Sequence, residues 1–273
     1  MDLHTIKHVV RPAGVDQVGD WTPGHAWLAG GTWLFSEPQI GTDTLVDLAS
    51  LGWAPLEAGS DGLTIAATCR IAEIAHYQGP AEWRALPLFR QCCDSFLASF
   101  KIWNAATVGG NIVMALPAGP MIALTAALDG VCTLWPRGGS PRSVPVMDFV
   151  AGNHKSVLQP GELLRSIHLP AAALRSTAAL RHMSLTKLGR SAALVIGTRS
   201  EQGEVVLTLT GATDRPVQLR FATMPDAQML QDALAAIPVA RWFQDVHGSA
   251  PYKRHVASHF AEDIRLELGG ASA

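Results

Sequence analysis

Residues 104–112 read NAATVGGNI, and residues 28–34 read LAGGTWL. Each stretch sets two adjacent glycines after an apolar run and before a polar side chain, Asn111 in the first and Thr32 in the second. Glycine permits positive φ and close approach, so successive backbone N–H groups can converge on an anion. Thr32 and Asn111 could add side-chain hydrogen bonds. A pair of such loops could cradle a pyrophosphate without any lysine. Tight turns remain the plainer explanation of either loop taken alone. Neither G-x-G-x-x-G nor G-x-x-x-x-G-K-[ST] is present, which argues against a dinucleotide-binding Rossmann turn and a P-loop.

Outward from residues 104–112, no Asp, Glu, Lys or Arg occurs between Ile102 and Leu128. The run is long enough to span a bilayer, but Asn104, Asn111, Gly109-Gly110, Pro117 and Pro120 interrupt it. A membrane helix would have to pair those polar groups internally. An internal core segment containing a polar loop is the expected reading, with no membrane span. The 273-residue chain is 48% hydrophobic, and only 16% of its residues are charged, against roughly 25% in ordinary soluble domains. That composition excludes a disordered chain. With 21 basic and 23 acidic residues the net charge is −2, which gives no electrostatic case for nucleic acid. The low charge fraction raises the question of what else covers the surface. Asp2, Lys7 and Arg11 interrupt the N-terminus where a secretory signal would be apolar, so a cytoplasmic location is expected. Cys69, Cys92, Cys93 and Cys132 lack the C-x₂₋₄-C spacing of zinc or iron–sulfur ligands. His255 and His259 share a helix face without the H-E-x-x-H glutamate, so no metal site is expected there.

Short runs rich in Leu, Ile, Val or Thr predict strands at His25–Ala29, Thr44–Leu48 and Leu63–Ala67, then a helix over Cys69–His76 capped by Thr68. A helix is predicted around Trp83–Ser99, and another from Pro120 toward Gly130. VCTLW, SVPV and LLRSIHLP read as strands, and the basic stretch Arg137–Arg142 as a hairpin turn. A boundary falls near 170–180. Beyond it the sequence predicts strands at Leu180–Lys187, Ala192–Thr198 and Glu204–Thr210, followed by helices near Asp226–Ile237 and Pro251–Leu266. Strands followed by helices indicate a small α+β domain.

With these motifs in place, the chain resembles the flavoprotein (medium) subunit of the molybdenum hydroxylases, which include carbon monoxide and xanthine dehydrogenases. The family's A-G-G-T/H-x-L is matched by Ala29, Gly30, Gly31, Thr32 and Leu34, and its R-N-x-A-T-I-G-G-N-I by the stretch through Ile112. PAGPMIALTAALDG (117–130), DFVAGNHKSVLQPGELLRSIHLP (148–170) and SAPYKRHV (249–256) are similar to three further family motifs. The resemblance implies an α+β fold: a two-part FAD-binding domain of the vanillyl-alcohol-oxidase (PCMH) type over 1–172, in lobes of about 1–55 and 56–172. A small C-terminal α+β domain would follow over 173–273. It also implies FAD held by Ala29, Gly30, Gly31, Thr32 and Trp33, and by Thr107, Val108, Gly109, Gly110 and Asn111, around the pyrophosphate and ribityl chain. Lys187, with Arg190 nearby, would lie close to the flavin ring or a nucleotide acceptor. No general acid or base is implied.

The implied role is an electron-transfer oxidoreductase subunit. Its partners would be a large molybdenum-cofactor chain and a small [2Fe-2S] chain, and electrons would pass to NAD, oxygen or another acceptor. Several positions depart from the family pattern. Pro120 stands at a common aspartate, Leu116 at a small residue and Trp103 at a frequent arginine, while Ser191 and Ala193 occupy a neighbourhood where the family carries an arginine and an aspartate. Two rival readings follow from these departures: a free-standing FAD enzyme acting directly on a small molecule, and a scaffold protein that has lost flavin. Genes for molybdenum and iron–sulfur chains alongside would favour the subunit, and absence of flavin absorption after adding FAD would favour the scaffold.

Overall fold

The computed structural model describes residues 4–186 and 189–270. Strands β1 (His8–Val10), β2 (His25–Leu28) and β3 (Thr44–Asp47) form a small parallel sheet in the order β1-β3-β2. Parallel pairing needs crossovers, and the second of these carries the 28–34 loop. β1, whose pattern is largely exposed, carries no clear sequence signal.

β4 (Leu56–Gly59) and β5 (Gly62–Ala66) form a hairpin that opens a second sheet. Five helices follow: α1 (Ile71–Ala75), α2 (Pro87–Asp94), α3 (Phe100–Trp103), α4 (Val108–Val113) and α5 (Pro120–Ala127). The expected helix at Cys69–His76 is shorter, and Thr68 is not its cap. The Cys69 N–H turns back to the Ala66 carbonyl, and Glu73 accepts from the Arg70 N–H at 2.6 Å, which moves the helix start past Arg70. The helix expected over Trp83–Ser99 shrinks to α2. Pro87 fixes its first turn, and the Ser95 hydroxyl donates to the Gln91 carbonyl at its end. All eight residues of α5 are buried. An all-round apolar helix requires cover on every side, which explains the charge-free run. Among the described residues, no helix is long and apolar enough to cross a membrane.

Next come β6 (Val131–Trp135), β7 (Arg142–Pro145), α6 (Val146–Phe149), the short pair β8 (Val150–Gly152) and β9 (Lys155–Ser156), β10 (Leu163–Pro170) and α7 (Ala171–Leu174). The second sheet runs β4-β5-β10-β6-β7 and is antiparallel throughout. Its far edge is held by buried Glu162, whose two carboxylate oxygens each accept from Arg142 at 2.7 Å. The Arg137 guanidinium donates to the carbonyls of Val18 and Gly19. Both arginines of the Arg137–Arg142 turn are therefore spent on protein acceptors. The Arg142 hydrogen bonds hold the Glu162 carboxyl below its ordinary value of 4.5, against the opposing effect of burial. A lowered pKa means that this stabilisation is complete above the unfolded pKa and is lost as pH falls through the folded one. Thermal unfolding followed from pH 6 down to about pH 3 should show a falling midpoint below the ordinary carboxylate range. In a Glu162→Gln variant that part of the slope should flatten, and an unchanged slope would remove Glu162 from the account.

The last section is an antiparallel sheet in simple order, β11 (Thr177–Ser184), β12 (Ser191–Arg199), β13 (Val205–Thr210) and β14 (Val217–Phe221), with α8 (Ala227–Ala235) and α9 (Ala250–Leu268). β11 begins three residues before the expected strand, and β14 was not anticipated by the sequence pattern. Asp226 and Ser249 cap the two helices, so Pro225 lies just before the first turn of α8. Along β12, Leu194 and Ile196 join the core beneath α5, while Ala193 and Val195 join the core beneath α8 and α9. Lys253 is fully buried in the first turn of α9. Its Nζ lies 2.8 Å from Asp245 and donates to the Gly211 carbonyl at 3.3 Å.

Candidate functional site

The two glycine loops meet. They lie together on one cavity of about 430 Å³, within the 300–1,000 Å³ usual for ligand and cofactor sites. Ala29, Gly30, Gly31, Thr32 and Trp33 all line it, and so do Thr107, Gly110 and Asn111. Gly30 makes the contact between the loops possible. A Cβ there would run into the carbonyl of Ala105 and sit 3.1 Å from the Ala106 Cα, both main-chain atoms.

The loops differ in what they offer a ligand. Val108 and Gly109 donate to the carbonyls of Cys69 (2.8 Å) and Ala67 (3.0 Å), which ties the second loop to the end of β5. The Gly110 N–H donates to the Thr107 hydroxyl at 3.0 Å and the Asn111 N–H to the Thr107 carbonyl at 3.1 Å, starting α4. All four N–H groups are therefore used internally. Val108 and Gly109 pack behind the cavity wall and are absent from its described lining. The Asn111 side chain accepts from the Met121 N–H at 3.0 Å and so caps α5, leaving only its amide N–H₂ to spare. The first loop is the reverse. Among the described residues, no acceptor meets the N–H groups of Gly30, Gly31, Thr32, Trp33 and Leu34, all of which border the cavity. Five unspent donors in one short loop beside a cavity are what an anion-binding concavity requires. The symmetry expected from two Gly-Gly pairs thus resolves into one donor loop and one supporting loop.

Other elements complete the wall. Trp27 lies in β2, Phe96 and Leu97 follow α2, and Pro120 starts α5. Arg190 is the one charged side chain among the described lining residues, and Ser191, the first residue of β12, stands beside it. Lys187 lies outside the described residues. Trp103 is absent from the described lining; the Arg90 guanidinium sits over its ring at 5.3 Å, so it fills space against α2. The rim is apolar, with Leu97 58% and Ile102 40% exposed. Sequence reasoning missed Trp27, Phe96 and Leu97, for which it contained no signal.

The four cysteines are buried thiols. Burial is the largest effect on each and pushes Cys93 and Cys132 up to about 12, with Cys69 and Cys92 raised as well, so none is poised as a thiolate nucleophile. Among the described residues no group of three or more His, Cys, Asp or Glu side chains is arranged to hold a metal ion.

Residues 6–172 match the family model described as the FAD binding domain in molybdopterin dehydrogenase. A subunit alpha of the 6-hydroxypseudooxynicotine dehydrogenase complex of Paenarthrobacter nicotinovorans is 25% identical over 233 residues, covering 80% of this chain and 77% of that protein. Xanthine dehydrogenase of Oryza sativa subsp. japonica is 28% identical over 121 residues, 42% of this chain but only 9% of that much longer protein. A chain of quinoline 2-oxidoreductase from Pseudomonas putida 86 superposes with a TM-score of 0.81 at 20% identity, covering 97% of this chain and 98% of its own, which shows a shared fold.

Proposed function

Because the chain belongs to the family of FAD-binding domains in molybdopterin dehydrogenases, we propose that it is the FAD-binding electron-transfer subunit of a molybdenum hydroxylase. The observation that carries this reading is the first loop, whose five unspent N–H groups border a cavity of cofactor size. Those donors suit a pyrophosphate, and Arg190 supplies the one positive charge among the described lining residues. The second loop contributes the Thr107, Gly110 and Asn111 surface and keeps the first in register through the Gly30–Ala105 contact. FAD, when bound, supplies the ability to take up electrons singly and release them singly or as a hydride. The chain's own residues bind and orient it, while Leu116, Ala118 and Pro120 exclude water from one wall. Lys187 belongs to the proposal as a group near the ring or the acceptor.

In this reading residues 1–172 form the two-lobed flavin domain and 173–273 the C-terminal domain. The partners are a large molybdenum-cofactor chain and a small [2Fe-2S] chain in a cytoplasmic complex, with NAD, oxygen or another molecule as final acceptor. Two observations support partners. The 25%-identical relative is itself named as one subunit of a dehydrogenase complex. Leu97, Phe100 (71% exposed) and Ile102 are exposed apolar side chains close together in the chain, and clustered exposed apolar groups mark interaction sites.

Native co-purification with cofactor and metal analysis tests this directly. The expected result is FAD on this chain, with molybdenum and iron on chains that travel with it. A purified chain that stays colourless and shows no thermal stabilisation after FAD is added would overturn the flavin assignment. FAD with substrate turnover by this chain alone would overturn the partners.

A further inference from the structure

Six described side chains carry a buried polar atom without a hydrogen-bond partner, and two of them, Trp27 and Ser191, line the loop cavity. Ser191 is 1% exposed and opens the apolar run of β12. A hydroxyl removed from water and left unpaired is unfavourable, and native structures seldom keep one without a reason. Three other polar side chains of the cavity are at least partly engaged: Ser95 with Gln91, Thr107 with Gly110, Asn111 with Met121. The adjoining turn brings no help, because Leu116, Ala118, Gly119 and Pro120 have no side-chain donor and Pro120 has no N–H. That turn is fixed next to Ser191: the Gly211 N–H donates to the Pro117 carbonyl, and a Cβ on Gly211 would sit 3.2 Å from the Ser191 carbonyl oxygen.

We propose that Ser191 is a cofactor-positioning residue whose hydroxyl hydrogen-bonds to the bound flavin dinucleotide, on the side of the cavity where the 116–120 turn offers no polar side chain. Because the Oγ is enclosed in the ligand-free chain, the contact requires rotation about χ1 toward the cavity that Ser191 lines. The inference rests on the FAD reading above.

The experiment titrates flavin-free protein with FAD, following flavin fluorescence and the visible absorption spectrum, and records the melting temperature of the flavin-free form. Ser191→Ala should weaken FAD binding about tenfold and shift the visible band, while the flavin-free melting temperature stays level or rises, since the lost group has no protein partner. Parental affinity in Ser191→Ala overturns the proposal, as does a loss of flavin-free stability that accounts for the weaker binding. If the parent protein itself fails to bind FAD, the flavin reading falls first, so the two failures are distinguishable.

Discussion

A Gly30→Ala variant is expected to purify folded but without flavin. The added methyl meets the Ala105 carbonyl carbon and oxygen and the Ala106 Cα, and none of these is the movable end of a side chain. Relief therefore requires the donor loop to separate from residues 104–107. A shift of that kind takes the loop N–H groups out of hydrogen-bond reach of an anion, and each hydrogen bond lost to a charged group costs about 1.5–3 kcal/mol. The five N–H groups would then be displaced from the cavity their residues border. FAD affinity should fall at least about 100-fold, roughly 2.7 kcal/mol, beside an overpacking cost of about 1–3 kcal/mol. Equilibrium titration with FAD, together with circular dichroism to confirm the fold, checks this. A Gly30→Ala protein that retains parental FAD affinity would show that loop apposition does not matter for binding.

The second large effect is expected at Lys253→Ala. The Nζ of Lys253 is enclosed between Asp245 at 2.8 Å and the Gly211 carbonyl, with the Phe243 ring centroid 5.1 Å away. Removing one partner of a buried pair costs about 3–5 kcal/mol. The Asp245 side chain keeps 24% exposure and can recover some hydration, which places the expectation near the lower end, at about 3 kcal/mol. The Gly211 N–H holds the Pro117 carbonyl, so losing the clamp also loosens the turn at the head of α5. A melting temperature lower by roughly 6–12 °C should result for a chain of this length, with FAD affinity reduced to a lesser degree. A melting temperature equal to the parent's would mean that the pair contributes no net stability. Lys253→Met, which retains the aliphatic stem, should fall between the two.

Much of this was legible in particular residues. The Gly-Gly loops, the Pro120 helix start and the β-branched runs of β3, β5, β6, β12 and β13 signalled their structure locally, because turn chemistry and side-chain period act over a few residues. β4, largely exposed along LEAG, lacks an apolar face and could not be recognised from pattern. Thr68 had the right chemistry for a cap, but the local turn to Ala66 moved the helix start beyond it. The division of labour between the glycine loops was hidden for a different reason. The acceptors that consume the Val108 and Gly109 N–H groups are carbonyls of Cys69 and Ala67, some forty residues earlier, and only the folded chain brings them together. Ser191 and Trp27 likewise converge from distant segments, so neither carries a local sign of sharing a site.

The strand β12 has a further consequence for chain-swapping experiments. Alternate side chains of one strand serve two separate cores, Leu194 and Ile196 one, Ala193 and Val195 the other. A chimaera that joins the first 172 residues to another relative's remainder would import a strand tailored to a foreign α5. The graft would meet its own helices α8 and α9 correctly while presenting mismatched bulk on the opposite side. Exchange between relatives is therefore best planned with α5 and the alternate positions of β12 transferred as one set, wherever the chain itself is cut.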